Sequence, residues 1–459
     1  MEYQYSTIVD QSTYETEGLC DGIPLRLHNS QEPEDLGAIK AQEDWRRLVG
    51  PTGFTKASLG PKFNFLSVAF PETIPDRMEV LAYFDEFIFL HDDVVEAVDQ
   101  AKGDEQNDEA LEACRAAAEE MAFRRKTGRQ HMISKVSQKM LAMDPGAAKK
   151  TLALWTEWFD KGAGRLNHNG FNTLNEYLEY RILDVGKMYL TGVMIFAMGL
   201  NILDEEQELL SQLCRPAWVA LGLTNDLYSL WKERKAAAEM GEAHVSNAVW
   251  VMMREHSISE DAANELCRQK IRENVAVFAA NVRQTLAQTD ELSRDVRIFV
   301  EGVQYIISGN LVWTLGAPRY NPGATYNARQ LDWMANGTPK TVGNREQEAS
   351  AKPEATVWLY RLPQAVGEAL WVLYRHIFPR GDSCSAEENG ANRRTWRSET
   401  WGSFPRFISF PLGRVRRAGS PGSLAGTFPL SYPSTVKDAG PDPQGSRSSL
   451  SCKPAKNGD

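Results

Sequence analysis

From about residue 35 to about residue 318 one pattern recurs along the chain: apolar residues return every three or four positions, and Gly, Pro and polar clusters fall between the segments. AIKAQEDWRRLV, EVLAYFDEFIFLHDDVVEAV, AAKKTLALWTEWFDK, NEYLEYRILDVGKMYLTGVMIFAMGL and PAWVALGLTNDLYSLWKERKAAAEM all carry it. This spacing lays an apolar stripe along one face of an α-helix, and the intervening residues are helix stoppers. No convincing alternation of apolar and polar residues and no fixed-period repeat is present. The pattern predicts one all-α domain of roughly ten helices, closing near residue 335. The run from Met188 to Leu203 is 16 residues long. It is short for a membrane span, and it reads as a buried helix.

The pattern then fades. Residues 336–355 read as a linker, and 356–379 (TVWLYRLPQAVGEALWVLYRHIF) as a short helical piece. From 380 to 459 the chain is rich in Gly, Ser, Pro and Arg with little periodicity. Such a composition buries too little apolar surface to offset its chain entropy, so a disordered tail is expected. Its RGD and its basic GRVRRAGS are chance-level motifs.

Composition narrows the function classes. The 459 residues carry a formal net charge of −10. A general nucleic-acid binder needs a basic face to displace counterions, so that class is disfavoured. An anionic substrate is still admissible if divalent cations bridge it to carboxylates. The six cysteines are scattered without a CxxC pair, which argues against a zinc site or a disulfide framework. The first residues lack the basic and apolar regions of a secretory signal, and a cytoplasmic location is expected.

Two polar clusters carry the candidate chemistry. Asp92-Asp93-Val94-Val95-Glu96 follows the apolar run EVLAYFDEFIFL. Helical spacing puts Asp92 and Glu96 one turn apart with Asp93 beside them. Three carboxylates converging after an apolar run are costly unless a cation neutralises them, and Mg²⁺ prefers such hard oxygen donors. A solvated acidic helix end would carry the same residues. The second cluster is NDLYSLWKE, which places Asn225, Ser229 and Glu233 at i, i+4 and i+8. Amide, hydroxyl and carboxylate oxygens thus form a ladder down one helix face, again just beyond an apolar run, a set suited to one octahedral Mg²⁺.

An N-D-x-x-S-x-x-K-E motif downstream of D-D-x-x-E resembles the paired metal motifs of class I terpene synthases. Arg181, in EYRILDVG, lies where such cyclases carry a diphosphate-sensing arginine, and Arg319-Tyr320 resembles their C-terminal Arg-Tyr pair. The opening YSTIVDQSTYETEGLCDGIPLRLHNS and the AQEDWRRLVGP segment are similar to the cyclase half of fungal chimeric terpene synthases of the fusicoccadiene and ophiobolin F type. The resemblance covers residues 1 to about 335. The second half of such chimeras, an all-α prenyltransferase with two DDxxD motifs, has no counterpart here.

The resemblance implies a class I terpenoid synthase helical barrel with the two metal motifs facing each other across its mouth. Three Mg²⁺ are expected: two on Asp92, with Asp93 and Glu96 supporting, and one on Asn225, Ser229 and Glu233. Arg181, Lys232, Arg319 and Tyr320 would grip a prenyl diphosphate. A helix break near Asp184, Val185 and Gly186 would aim a carbonyl at the cation. Aromatic faces stabilise passing positive charge by roughly 0.5–2 kcal/mol each, and Phe65, Phe89, Trp218 and Trp313 are the candidates, with ordinary core packing an equal reading. The implied activity is cyclisation of geranylgeranyl or geranylfarnesyl diphosphate, supplied by a separate prenyltransferase. A prenyl elongase, and an inactive fragment kept as an interaction module, stand as alternatives. Neither a membrane span nor a nucleic-acid partner is expected, and self-association as a homo-oligomer stays open.

Overall fold

Residues 78–91 are buried at every position but two, and in this computed structural model they form most of one long helix. The structure describes residues 1–51, 58–165, 170–241, 243–287 and 292–339. The linker from 340, the helical piece and the tail lie outside the described residues. Two three-residue strands, β1 (Ser6–Ile8) and β2 (Arg26–His28), pair antiparallel with Thr7 opposite Leu27. This ribbon was not expected, because three residues are too few to show alternation.

Thirteen α-helices follow among the described residues, where about ten were expected. They are α1 (Glu32–Leu48), α2 (Phe65–Ala69), α3 (Pro75–Val95), α4 (Gln100–Ala118), α5 (Gly128–Met143), α6 (Pro145–Lys161) and α7 (Leu174–Asp184). The second half holds α8 (Lys187–Met198), α9 (Gln207–Met240), α10 (Ala248–His256), α11 (Glu260–Ala287), α12 (Arg294–Gly316) and α13 (Ala328–Asn336). The extra ones are short pieces such as α2 and α13, which span too few turns for a period to emerge. The expected helix from Met188 to Leu203 is α8, which stops at Gly199 with φ +64°.

The fold is an α-helical barrel. α3 starts with Pro75, whose missing N–H costs nothing in a first turn, and it is buried from Met78 to His91 except at Glu79 and Phe89. α1 packs along it, with α4, α5 and α8 on its other sides. α9 packs on α11 and α12 and touches α7 and α10. Glu86, drawn inside, is satisfied: it accepts from Ser58 N–H at 2.9 Å, Ser58 Oγ at 2.6 Å and Gln42 Nε2 at 2.7 Å. Cys20, Cys114, Cys214 and Cys267 are buried free thiols. Among the described residues no helix is long and apolar enough to cross a membrane.

Candidate active site

The last turn of α3 delivers Asp92, Asp93 and Glu96, whose carboxylate oxygens lie within 4.8 Å of one another. Cations hold them together. Arg319 donates from Nη2 to Asp92 Oδ2 and from Nη1 to Asp93 Oδ1, both at 2.9 Å, while Lys232 reaches Glu96 Oε2 at 2.9 Å and Asp93 Oδ1 at 3.5 Å. Asp92 keeps 45% of its side-chain surface at the mouth. Desolvation of its carboxylate and the neighbouring Glu96 push it up to about 7. The Lys232 ammonium is desolvated, yet Glu96, Asp93 and Asp92 hold it well above the ordinary lysine range.

α9 supplies the facing ladder. Asn225 Nδ2 donates to Tyr320 Oη at 2.8 Å, and its Oδ1 accepts from Arg181 Nη2 at 2.6 Å. Ser229 is buried and donates to Glu233 Oε1 at 2.6 Å, and Asn247 Nδ2 donates to the other Glu233 oxygen at 2.8 Å. Burial, and then the nearby Asp226, push Glu233 up to about 8. Arg181 sits one turn from the end of α7, where it also bonds Asp226 Oδ1 at 2.9 Å and pairs with Asp184. Gly222 on α9 makes room for it: a Cβ there would stand 3.1 Å from Arg181 Cγ. The expected helix break is present. α7 ends at Asp184, Val185 caps it, and Gly186 adopts φ +95° before α8 begins. Asp184 steadies the break by accepting from Gly164 N–H at 2.8 Å.

The two clusters open on one cavity of about 230 Å³. Asp92, Glu96, Asn225, Glu233, Arg181, Asp184, Arg319 and Tyr320 line its polar part. Phe65, Phe89, Trp313, Ile88, Leu190, Leu221 and Val185 line its apolar part. The Phe65, Phe89 and Trp313 rings are mutually 5.0–5.8 Å apart, and Arg319 stacks over Phe89 at 5.0 Å. Trp313 is fixed by donating to the Ser58 carbonyl at 2.8 Å. Asp93, Ser229 and Lys232 are not among the lining residues: Lys232 pairs with Glu96, Ser229 donates to Glu233, and Asp93 pairs with Arg319 and Lys232. Trp218 is placed differently: it is buried in the core of α9 and is not among the lining residues.

Sequence reasoning passed over several groups. Asp226, the second residue of the α9 motif, is fully buried and organises the site by accepting from Arg181, from Tyr177 Oη at 2.7 Å and from Ala248 N–H at 2.8 Å. Only its place inside the motif could have drawn attention to it. Asn247, Tyr189, Asp85 and Asn310 have no local signature, because distant segments bring them together. The donor set fits a hard divalent cation: carboxylate, amide and hydroxyl oxygens without thiol or imidazole, and carboxyl groups whose crowding is relieved by positive charge.

Residues 84–276 match the model of terpene synthase family 2, C-terminal metal binding. The chain carries a class I terpene synthase domain. A bifunctional type I diterpene synthase from Aspergillus flavipes is 44% identical over 352 residues, 76% of this chain and 46% of that protein. Fusicoccadiene synthase from Phomopsis amygdali is 43% identical over 346 residues, 74% of this chain and 48% of that protein. Ophiobolin F synthase from Aspergillus clavatus is 38% identical over 350 residues. The chain thus spans about half the length of the curated relatives it matches, as a cyclase half would. Aristolochene synthase from Penicillium roqueforti, at 23% identity, superposes with a TM-score of 0.51 over 62% of this chain and 96% of that one, a likeness of fold.

Proposed function

We propose that the domain performs Mg²⁺-dependent cyclisation of a long prenyl diphosphate, geranylgeranyl or geranylfarnesyl diphosphate, to a polycyclic diterpene or sesterterpene with release of diphosphate. One observation carries this reading: two oxygen-donor ladders and the cationic side chains Arg181, Lys232 and Arg319 meet at the rim of a cavity whose depth is lined by aromatic and aliphatic residues. The rim suits an anion and the depth suits a hydrocarbon chain. Asp92, Asp93 and Glu96 would hold two ions, and Asn225, Ser229 and Glu233 the third. Bound Mg²⁺ supplies the Lewis-acid charge that neutralises the departing diphosphate. Arg181, Lys232, Arg319 and Tyr320 bind diphosphate oxygens and orient them for loss of the C–O bond. The apolar wall excludes water and imposes the fold of the chain, while Phe65, Phe89 and Trp313 turn aromatic faces and edges to passing positive charge. The substrate would come from a separate prenyltransferase.

The test is incubation of the purified chain with Mg²⁺ and each diphosphate, with hydrocarbon products identified by mass spectrometry and NMR. Cyclic terpenes are expected. Linear alcohols alone would sink the cyclase reading, and longer prenyl diphosphates made after addition of isopentenyl diphosphate would mark an elongase instead.

A further inference from the structure

Seven residues before Asp92, two turns back along α3, stands a second carboxyl group that the metal chemistry does not use. Asp85 lines the same cavity but is only 1% exposed. Its Oδ1 accepts from Tyr189 Oη on α8 at 2.7 Å. Its Oδ2 has no partner among the described residues, although it is buried. Across the cavity lining, Asn310 on α12 is buried with Nδ2 equally unpartnered. The same cavity is lined by the apolar side chains of Phe65 on α2, Ile88 on α3, Trp158 on α6 and Leu190 on α8. A buried polar atom left without a partner is a cost that folding alone does not explain.

Burial, with the adjacent Glu86 adding to it, pushes the Asp85 carboxyl up to about 8. The group therefore holds a proton near neutral pH. Because Tyr189 already donates to Oδ1, that proton belongs on Oδ2, the oxygen without a partner. A neutral acid is thus held in a cavity suited to a polyene, with Asn310 as a further polar contact.

We propose that Asp85 is an acid–base residue of the cyclisation, passing a proton to and from the bound hydrocarbon; this rests on the cyclase reading above. The first cation loses a proton to the released diphosphate and leaves a neutral cyclic alkene. The Oδ2 proton then adds to one carbon of a C=C bond. The π pair becomes the new C–H bond, the other carbon becomes cationic, and the O–H pair stays on the carboxylate. After further ring closure the carboxylate removes a proton from a C–H beside the cationic carbon, and that C–H pair forms the final C=C bond. Asp85 ends as it began, and the net products are the terpene and protonated diphosphate. Tyr189 is a positioning residue that keeps the proton on Oδ2.

The experiment uses the full chain, equilibrated in D₂O buffer with Mg²⁺ and supplied with geranylgeranyl or geranylfarnesyl diphosphate. The cyclic product is expected to carry one solvent deuterium at carbon. Asp85→Asn keeps the shape but cannot deliver the proton, so the labelled fraction should fall at least about tenfold, and an earlier, less cyclised alkene should accumulate. Tyr189→Phe should lower the label at least about twofold, and it decides the matter if the Asp85→Asn protein fails to fold. Unlabelled wild-type cyclic product overturns the proposal and leaves the cyclase reading standing, as does full label in Asp85→Asn or in Tyr189→Phe. If wild type forms no cyclic product from either diphosphate, both readings fall.

Discussion

Asp92 and Asn225 face each other across the mouth, and neither is packed as a core side chain. Under the proposed function, truncating either removes an oxygen donor to a cation while leaving the helices their packing. Asp92→Ala and Asn225→Ala are each expected to lower turnover by about 10²-fold or more, the scale on which lost charge stabilisation is felt. Far-UV circular dichroism should stay at wild type, and near-normal turnover at saturating Mg²⁺ would refute the assignment. Phe65 and Trp313 touch at 5.0 Å within the apolar wall. Phe65→Leu and Trp313→Leu should change the product mixture, read by gas chromatography, more than the rate of diphosphate release. An unchanged mixture in both would return the pair to simple packing. The two clusters proposed as ligands were legible because each lies within nine consecutive positions, where helical spacing alone dictates a shared face. Asp226 and Asp85 were not, since their roles depend on Arg181, Tyr177 and Tyr189, which arrive from other helices.

The approach of α7 to α9 decides where the Arg181 guanidinium stands. Gly222→Ala would press a methyl group against Arg181 Cγ and move the guanidinium by tenths of an ångström. Turnover should fall by about tenfold, in keeping with the sensitivity of chemistry to small misplacements, while the melting temperature barely moves. A variant of wild-type activity would show that the close approach carries no positioning role. The acidic ends of α3 and the α9 ladder make a second prediction. Asp92, pushed up to about 7, and Glu233, up to about 8, retain protons that a cation must displace. A raised carboxyl value means protons compete below it, so Mg²⁺ affinity should weaken as the pH drops from about 8.5 to about 6. Titration calorimetry in two buffers of different ionisation enthalpy should register proton release on binding, and pH-independent affinity would count against the ladder. Long helices such as α3 and α9 were readable from their periods. The short α2, α13 and the β1–β2 ribbon were not, because their formation depends on the body they pack against.

Taken whole, these 459 residues contain one Asp-Asp-x-x-Glu and one Asn-Ser-Glu ladder, and elongation needs two aspartate-rich sites. Dimethylallyl and isopentenyl diphosphates alone should therefore yield no terpene, and adding a separate prenyltransferase should restore cyclic product. Terpene from the five-carbon units by this chain alone would require an elongation site not visible in it. The pairing of Arg319 with Asp92 and Asp93, and of Lys232 with Glu96, has a consequence of its own. The charges that the proposed function assigns to two different guests are paired with each other. A metal ion arriving alone must evict the cations from the carboxylates, and a diphosphate arriving alone must pull them away and leave the carboxylates facing one another. When both come, every displaced partner finds a new one. Under the proposed function the mouth would work as a coincidence detector: each guest would raise the affinity for the other, and ionisation would be armed only with substrate and metal present together.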